Sequence, residues 1–214
     1  MNKKKKSSDS GDLEMLEIIC EKKPPFKRLR KIQKKAFDPI YLEMCGYAFK
    51  KKELYKGSSY LLAQEESKVI GYLMYQTPED PAHEIFMNAY EEYLEWRYKY
   101  ENFGNISEIV RYCEHHSGLD FDESTIDTFD SSVELDENDS HLLEIAVHPN
   151  HQGKGVSSAL IRKFHELSTG KKYLSTRNTI KMHDVAVHMG YEPFFQFGPL
   201  HKDNSLLVLF VNEK

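Results

Sequence analysis

Apolar residues along this chain recur at two spacings, and the switches between them mark its elements. Leu13 to Cys20 alternates like a strand, and Pro24-Pro25 then starts a basic amphipathic helix through Leu29, Ile32 and Phe37 that Asp38-Pro39 breaks. A second helix is expected over Tyr41 to Tyr55, ended by Gly57; Tyr60 to Ala63 and Val69 to Tyr75 then read as a hairpin across Glu65 to Lys68. His83 to Tyr100 has helical spacing, as does a shorter stretch after Asn105 through Ile106, Ile109, Val110 and Cys113. The run from Leu142 to Val147 suits a buried strand stopped at Pro149, and from Val156 the positions Ala159, Leu160, Phe164 and Leu167 give a helix with Gly170 as a left-handed stop. Tyr173 to Thr176 is the next strand. Asn178 or Thr179 should cap a helix with Met182, Val185, Ala186 and Met189 as its buried stripe, ended at Gly190, and Leu206 to Val211 is apolar on both faces as a central strand should be.

The 214 residues suit one domain over 12–214, with an insertion at 78–140 and a basic tail at 1–11 expected to be disordered. The net charge of −5 is local in origin: 120–139 carries nine acids (Asp120, Asp122, Glu123, Asp127, Asp130, Glu134, Asp136, Glu137, Asp139) and no Lys or Arg, so the remainder sums to −5 + 9 = +4. With Lys3 to Lys6 as its only basic run of note, the chain is not expected to bind nucleic acid. No membrane partner is expected either, since no apolar run approaches 18 residues. No secretory leader is evident, and Cys20, Cys45 and Cys113 lack close pairing, so the expected compartment is the reducing cytoplasm, with thiols packed in apolar contexts.

Between the Leu142 strand and the Val156 helix lies Gln152-Gly153-Lys154-Gly155-Val156-Ser157-Ser158. Small residues at a helix start let an anion approach bare N–H groups, and the helix dipole favours negative charge there. A phosphate or pyrophosphate site is implied. Two phosphate motifs fail: a Walker A loop would need Gly where His148 stands and a hydroxyl residue where Gly155 stands, and a dinucleotide fingerprint would need Gly or Ala at Ser158. The pattern Q/R-x-x-G-x-G/A does fit, with Gln152, Gly155 and Ser157 at its fixed positions after Ile145-Ala146-Val147-His148-Pro149. In this the chain resembles the GNAT superfamily of N-acyltransferases, over roughly Leu13 to Val211 and most weakly across the insertion.

The resemblance implies an α+β fold: a GNAT-like mixed, centrally splayed β-sheet flanked by helices, with a helical and acidic insertion before the fourth strand. It implies acetyl-CoA as co-substrate and no metal. Main-chain groups of Ile145, Ala146 and Val147 would hold the pantetheine arm, N–H groups from Gly153, Lys154, Gly155, Val156, Ser157 and Ser158 the pyrophosphate behind Gln152, and Asn178 would reach the arm from beyond the fifth strand, although counting back from Gly190 puts Thr179 at the usual Asn position and leaves that assignment open. The Ile145 N–H would serve the oxyanion. His141-Leu142-Leu143-Glu144 is similar to the fourth strand of the serotonin/arylalkylamine N-acetyltransferases, which makes His141 the first candidate base and Glu144 the second. Strict alternation would put His141, Leu143 and Ile145 on one face and Leu142, Glu144 and Ala146 on the other. The Tyr usual four residues before the closing Gly is replaced by Ala186, leaving His183, a Tyr, a water or no acid at all. A metal site among His115, His116, His148 and His151 matches no ligand spacing well. The expected activity is acetyl transfer to a primary amine by direct attack, with a small cationic amine as partner; the alternatives are a protein or peptide acetyltransferase and a non-catalytic acyl-CoA-binding module.

Overall fold

The computed structural model describes residues 16–37, 56–80, 136–197 and 205–214. The tail, the helices expected over Tyr41 to Tyr55 and in the insertion, His115, His116, Cys45 and Cys113 lie outside them. The described elements are β1 (Glu17–Glu21), α1 (Phe26–Ala36), β2 (Ser59–Glu65), β3 (Lys68–Gln76), β4 (Ser140–Val147), α2 (Val156–Leu167), β5 (Lys172–Arg177), α3 (Lys181–His188), β6 (Glu192–Phe197) and β7 (Leu207–Asn212). The strands form one sheet in the order β1-β2-β3-β4-β5-β7-β6, antiparallel at every pairing except β4 with β5.

Two apolar layers sandwich this sheet. On one side α2 and α3 bury Leu160, Ile161, Phe164 and Ala186 against Leu61, Leu73, Leu174 and Phe210. On the other, α1 buries Leu29 and Ile32 against Tyr60, Leu62, Tyr72 and Met74. Fully burying one such side chain contributes about 1.5–3 kcal/mol. The β2–β3 hairpin turns through Glu66 (φ 49°) and Ser67 (φ 62°), a left-handed pair that matches strand twist although neither residue is Gly.

One irregularity rearranges the faces of β4. Its register against β3 runs Val147–Gly71, Ala146–Tyr72, Ile145–Leu73 and Glu144–Met74, then jumps to Leu142–Tyr75 and His141–Gln76, so Leu143 is an extra residue. A bulge of this kind breaks strict alternation. Leu142, Ile145 and Val147 pack on the α2 side, whereas Leu143 and Ala146 pack on the α1 side, where Glu144 meets α1. His141 stacks on Tyr173, which alternates with the α2-facing Leu174 and so also lies on the α1 side. The expected opposition of His141 to Glu144 is therefore corrected: both candidates share the α1 face.

Other expectations need correction too. Gly170 does not adopt a left-handed stop, and α2 ends on an extended Ser168; glycine is required at 170 because a Cβ would sit 2.3 Å from the Asn138 carbonyl. Neither Asn178 nor Thr179 caps α3, whose N-cap is Ile180 without a side-chain bond. Of the stripe on α3 only Ala186 is fully buried, while Gly190 (φ 82°) supplies the expected stop. Cys20 is exposed rather than packed, its Sγ 3.6 Å from the Tyr75 hydroxyl. Strand β6 was not anticipated, and Phe194 is its own extra residue against β7.

Candidate active site

The parallel pairing of β4 with β5 covers only Ser140–Lys172 and His141–Tyr173. Beyond it the strands diverge, which leaves a wedge along Leu142 to Val147. Main-chain direction follows from one hydrogen bond. The His148 N–H donates to the Ile70 carbonyl at 2.8 Å, so with a two-residue period Ala146 also turns its N–H and C=O to β3, whereas Ile145 and Val147 turn theirs into the wedge. The Ala146 carbonyl accordingly lies 3.1 Å from where a Gly71 Cβ would stand. The main chain thus turns into the gap at Ile145 and Val147 and away from it at Ala146, against the expectation that three consecutive residues face it.

At the wide end of the wedge, Pro149–His151 forms a 3-10 turn and Gly153 and Gly155 both take positive φ, 76° and 79°. Only glycine adopts such angles without strain. Gly155 is the N-cap of α2, and no side chain caps the helix. The first N–H groups of a helix have no partner within it, so those of Val156, Ser157 and Ser158 point at the turn with the positive end of the dipole behind them. A Cβ at Gly153 would meet nothing within 4 Å, and 152–155 is exposed. This open cradle of main-chain donors fits a diphosphate. Lys154 adds an exposed cation beside it, while the Val156 side chain is buried in the core. Gln152 acts through structure: its Nε2 donates to the Val147 carbonyl at 3.0 Å, tying the turn to the end of β4.

His141 is 1% exposed, its ring 5.5 Å from that of Tyr173 and inclined by 17°. Glu144 is also buried, and both carboxylate oxygens accept from Gln33 Nε2, at 3.0 and 2.9 Å, while Oε1 accepts a further bond from the Tyr72 hydroxyl. The same carboxylate and, above all, burial raise the pKa of the neighbouring Tyr60 phenol. Neither Gln33 nor Tyr72 was singled out from the sequence, yet Gln33 stands at a core spacing in the apolar stripe of α1, which is a readable sign of a buried polar partner. Asn178 sits at the end of β5, where its Oδ1 accepts from the Leu206 N–H at 2.9 Å and its own N–H donates to the Leu206 carbonyl at 3.0 Å. It ties β5 to the start of β7. Ala186 is 0% exposed in the core, and His183 packs edge-on against Phe210 at 5.2 Å. His148 and His151 flank the turn, the first with its pKa lowered by desolvation and then by Lys35. Among the described residues no group of three or more His, Cys, Asp or Glu side chains is arranged to hold a metal.

Residues 109–191 match the acetyltransferase (GNAT) family model. Over that stretch the chain is similar to GNAT acetyltransferases. Solved structures agree on the fold: a GNAT-family structure from Desulfovibrio desulfuricans superposes with a TM-score of 0.55 at 11% identity, covering 92% of this chain and 98% of that one. A Streptococcus mutans structure gives 0.51 at 11% identity (92% and 98%). The ribosomal-protein-S18-alanine N-acetyltransferase of Escherichia coli gives 0.50 at 10% identity (93% and 94%). No match is found among the curated proteins. The matched stretch takes in β4, the wedge and the uncapped start of α2. Among the described residues no helix is long and apolar enough to cross a membrane.

Proposed function

We propose that the enzyme transfers the acetyl group to a primary amine by direct attack, with a small cationic amine as acceptor and His141 as base. The observation that carries this reading is the end of β4–β5 pairing at His141–Tyr173, which puts a buried imidazole at the vertex of a wedge whose first inward main-chain group beyond the bulge belongs to Ile145. An alkylamine with a pKa of about 10.4 arrives protonated at neutral pH, so it needs a base before it can attack. His141 takes that proton, as an imidazole can accept one and pass it on. The Ile145 N–H polarises the carbonyl as negative charge develops, a contribution of the order of 3 kcal/mol in comparable sites. Glu144 is the weaker candidate because Gln33 and Tyr72 already hold its carboxylate. The nine acids of 120–139 favour cationic acceptors through long-range attraction. The proposed compartment is the cytoplasm, which three cysteines without close pairing fit.

Incubation with labelled acetyl-CoA and a panel of small amines, then of peptides, tests the proposal. Transfer to amines supports it; transfer confined to peptide α-amines or lysines replaces the acceptor class; binding without transfer reduces the protein to a carrier. Binding itself is read thermally. Acetyl-CoA at 100 times its Kd stabilises by about 2.7 kcal/mol, roughly 5–10 °C in Tm for a chain of this size. His141→Ala should keep that shift and lose turnover at neutral pH.

A further inference from the structure

We propose that Tyr173 is a positioning residue for His141, holding the plane of its imidazole, and that Asp139 fixes Tyr173 in turn. The proposal rests on His141 as base and adds residues that the sequence motif does not contain. The two rings belong to the last residue pair of the parallel ladder, so they close the vertex of the wedge. They stack at 5.5 Å and 17°. The Tyr173 hydroxyl hydrogen-bonds the Asp139 carboxylate. That carboxylate is itself fixed on both oxygens, Oδ1 accepting from the Lys171 N–H at 3.1 Å and Oδ2 from the Asp136 N–H at 2.9 Å. On the other side the ring of Phe194 abuts Tyr173 at 5.7 Å and 64°, placed there by the extra residue in β6. Tyr173 is therefore clamped by one anchor at its hydroxyl and one at its ring.

This clamp answers a need that His141 does not meet alone. The terminal torsion of histidine is broad, so strand geometry sets where the ring starts and leaves its plane open. A base works only within hydrogen-bond reach of the proton it takes, and a displacement of 1 Å costs about a hundredfold in rate. A ring stacked on one face removes that freedom. The stack also favours the charged imidazolium that forms when the amine is deprotonated, as does the Asp139 carboxylate behind it. The groups facing His141 are Tyr173 and Asp139 towards β5, Gln76 across β3, and Glu144 on the same face with its partners Gln33 of α1 and Tyr72 of β3.

The test is the pH profile of kcat and KM for Tyr173→Leu, Tyr173→Phe and Asp139→Asn. Tyr173→Leu should lower kcat at least tenfold, leave KM for acetyl-CoA within twofold and move the acid limb of kcat to lower pH, because the imidazolium loses its support. Tyr173→Phe keeps the stack but loses the hydroxyl anchor to Asp139, so its kcat should fall between those of the parent and Tyr173→Leu. Asp139→Asn should move the acid limb in the same direction as Tyr173→Leu. A Tyr173→Leu enzyme with parental kcat and an unmoved limb, beside an inactive His141→Ala, overturns this proposal alone. His141→Ala with unchanged turnover overturns the base assignment and this proposal with it. Should Tyr173→Leu lose the acetyl-CoA thermal shift through misfolding, the Asp139→Asn limb decides, and an unmoved limb overturns the clamp.

Discussion

Glu144 and His141 stand three residues apart on one strand face, and the physics around them differs. Glu144 is enclosed by donors, Gln33 Nε2 on both oxygens and the Tyr72 hydroxyl on one. A buried carboxylate so engaged is costly to remove because its partners lose their acceptors, each stranded group costing about 1–3 kcal/mol. Glu144→Ala should therefore destabilise by roughly 2–4 kcal/mol, seen as a lower urea midpoint at unchanged slope. Gln33→Leu paired with Glu144→Leu should recover part of that loss, since removing both polar partners together strands fewer groups. A glutamate acting as base would give a different result, with turnover per folded molecule falling far below that of the Gln33→Leu single variant.

Within the elements, what the sequence disclosed depended on how far each signal reached. The β4–turn–α2 unit was legible because its determinants are adjacent: an apolar strand, Pro149, then Gly153 and Gly155 at positive φ before a helical stripe. Gly155→Ala should cost about 1–2 kcal/mol from its left-handed backbone and shrink the acetyl-CoA thermal shift, as a methyl group enters the cradle. The bulge at Leu143 was illegible. The nearly continuous apolar run from Leu142 to Val147 fits a strand covered on both faces whatever its register, and only pairing with Met74 and Tyr75 on β3 reveals the extra residue. That single insertion reversed the reading of which candidates share a face. Strand β6 was missed for the opposite reason: Glu192-Pro193-Phe194-Phe195-Gln196 lacks alternation, and its edge position next to β7 alone makes it a strand. Gly170 was noticed for its glycine and misread for its cause. The constraint is the Asn138 carbonyl, a neighbour 32 residues away that no local pattern encodes. Gly170→Ala should thus destabilise by about 1–3 kcal/mol through overpacking, and by shifting the turn that carries Asp139 it should lower kcat as well. Urea unfolding read beside single-turnover rates separates the two effects.

Taken as a whole, the fold buries titratable groups whose protons link its stability to pH in two windows of opposite sign. His165 lies against Tyr191 at 5.1 Å, its Nε2 buried without a hydrogen-bond partner among the described residues. Burial, and then the charge of Lys172, pull its pKa below the ordinary 6.5. A histidine depressed in the folded state binds its proton more readily when unfolded, so its contribution is full above about pH 6.5 and is lost as pH falls from there through the folded value. His148 is depressed in the same sense, but it stands beside the open turn where solvent screens the effect, so His165 dominates. Asp139 works in the other direction and lower down: burial raises its carboxyl above the ordinary 3.8, so ionising it as pH rises from about that value towards the folded one costs stability. Tm should accordingly fall as pH is lowered from about 7.5 to 5.5, and His165→Phe, which keeps a ring against Tyr191 and removes the titration, should flatten that slope. His148→Gln should leave most of it in place. Differential scanning fluorimetry of the three proteins across this range checks the assignment, and a slope that survives His165→Phe unchanged would move the acid sensitivity to another group.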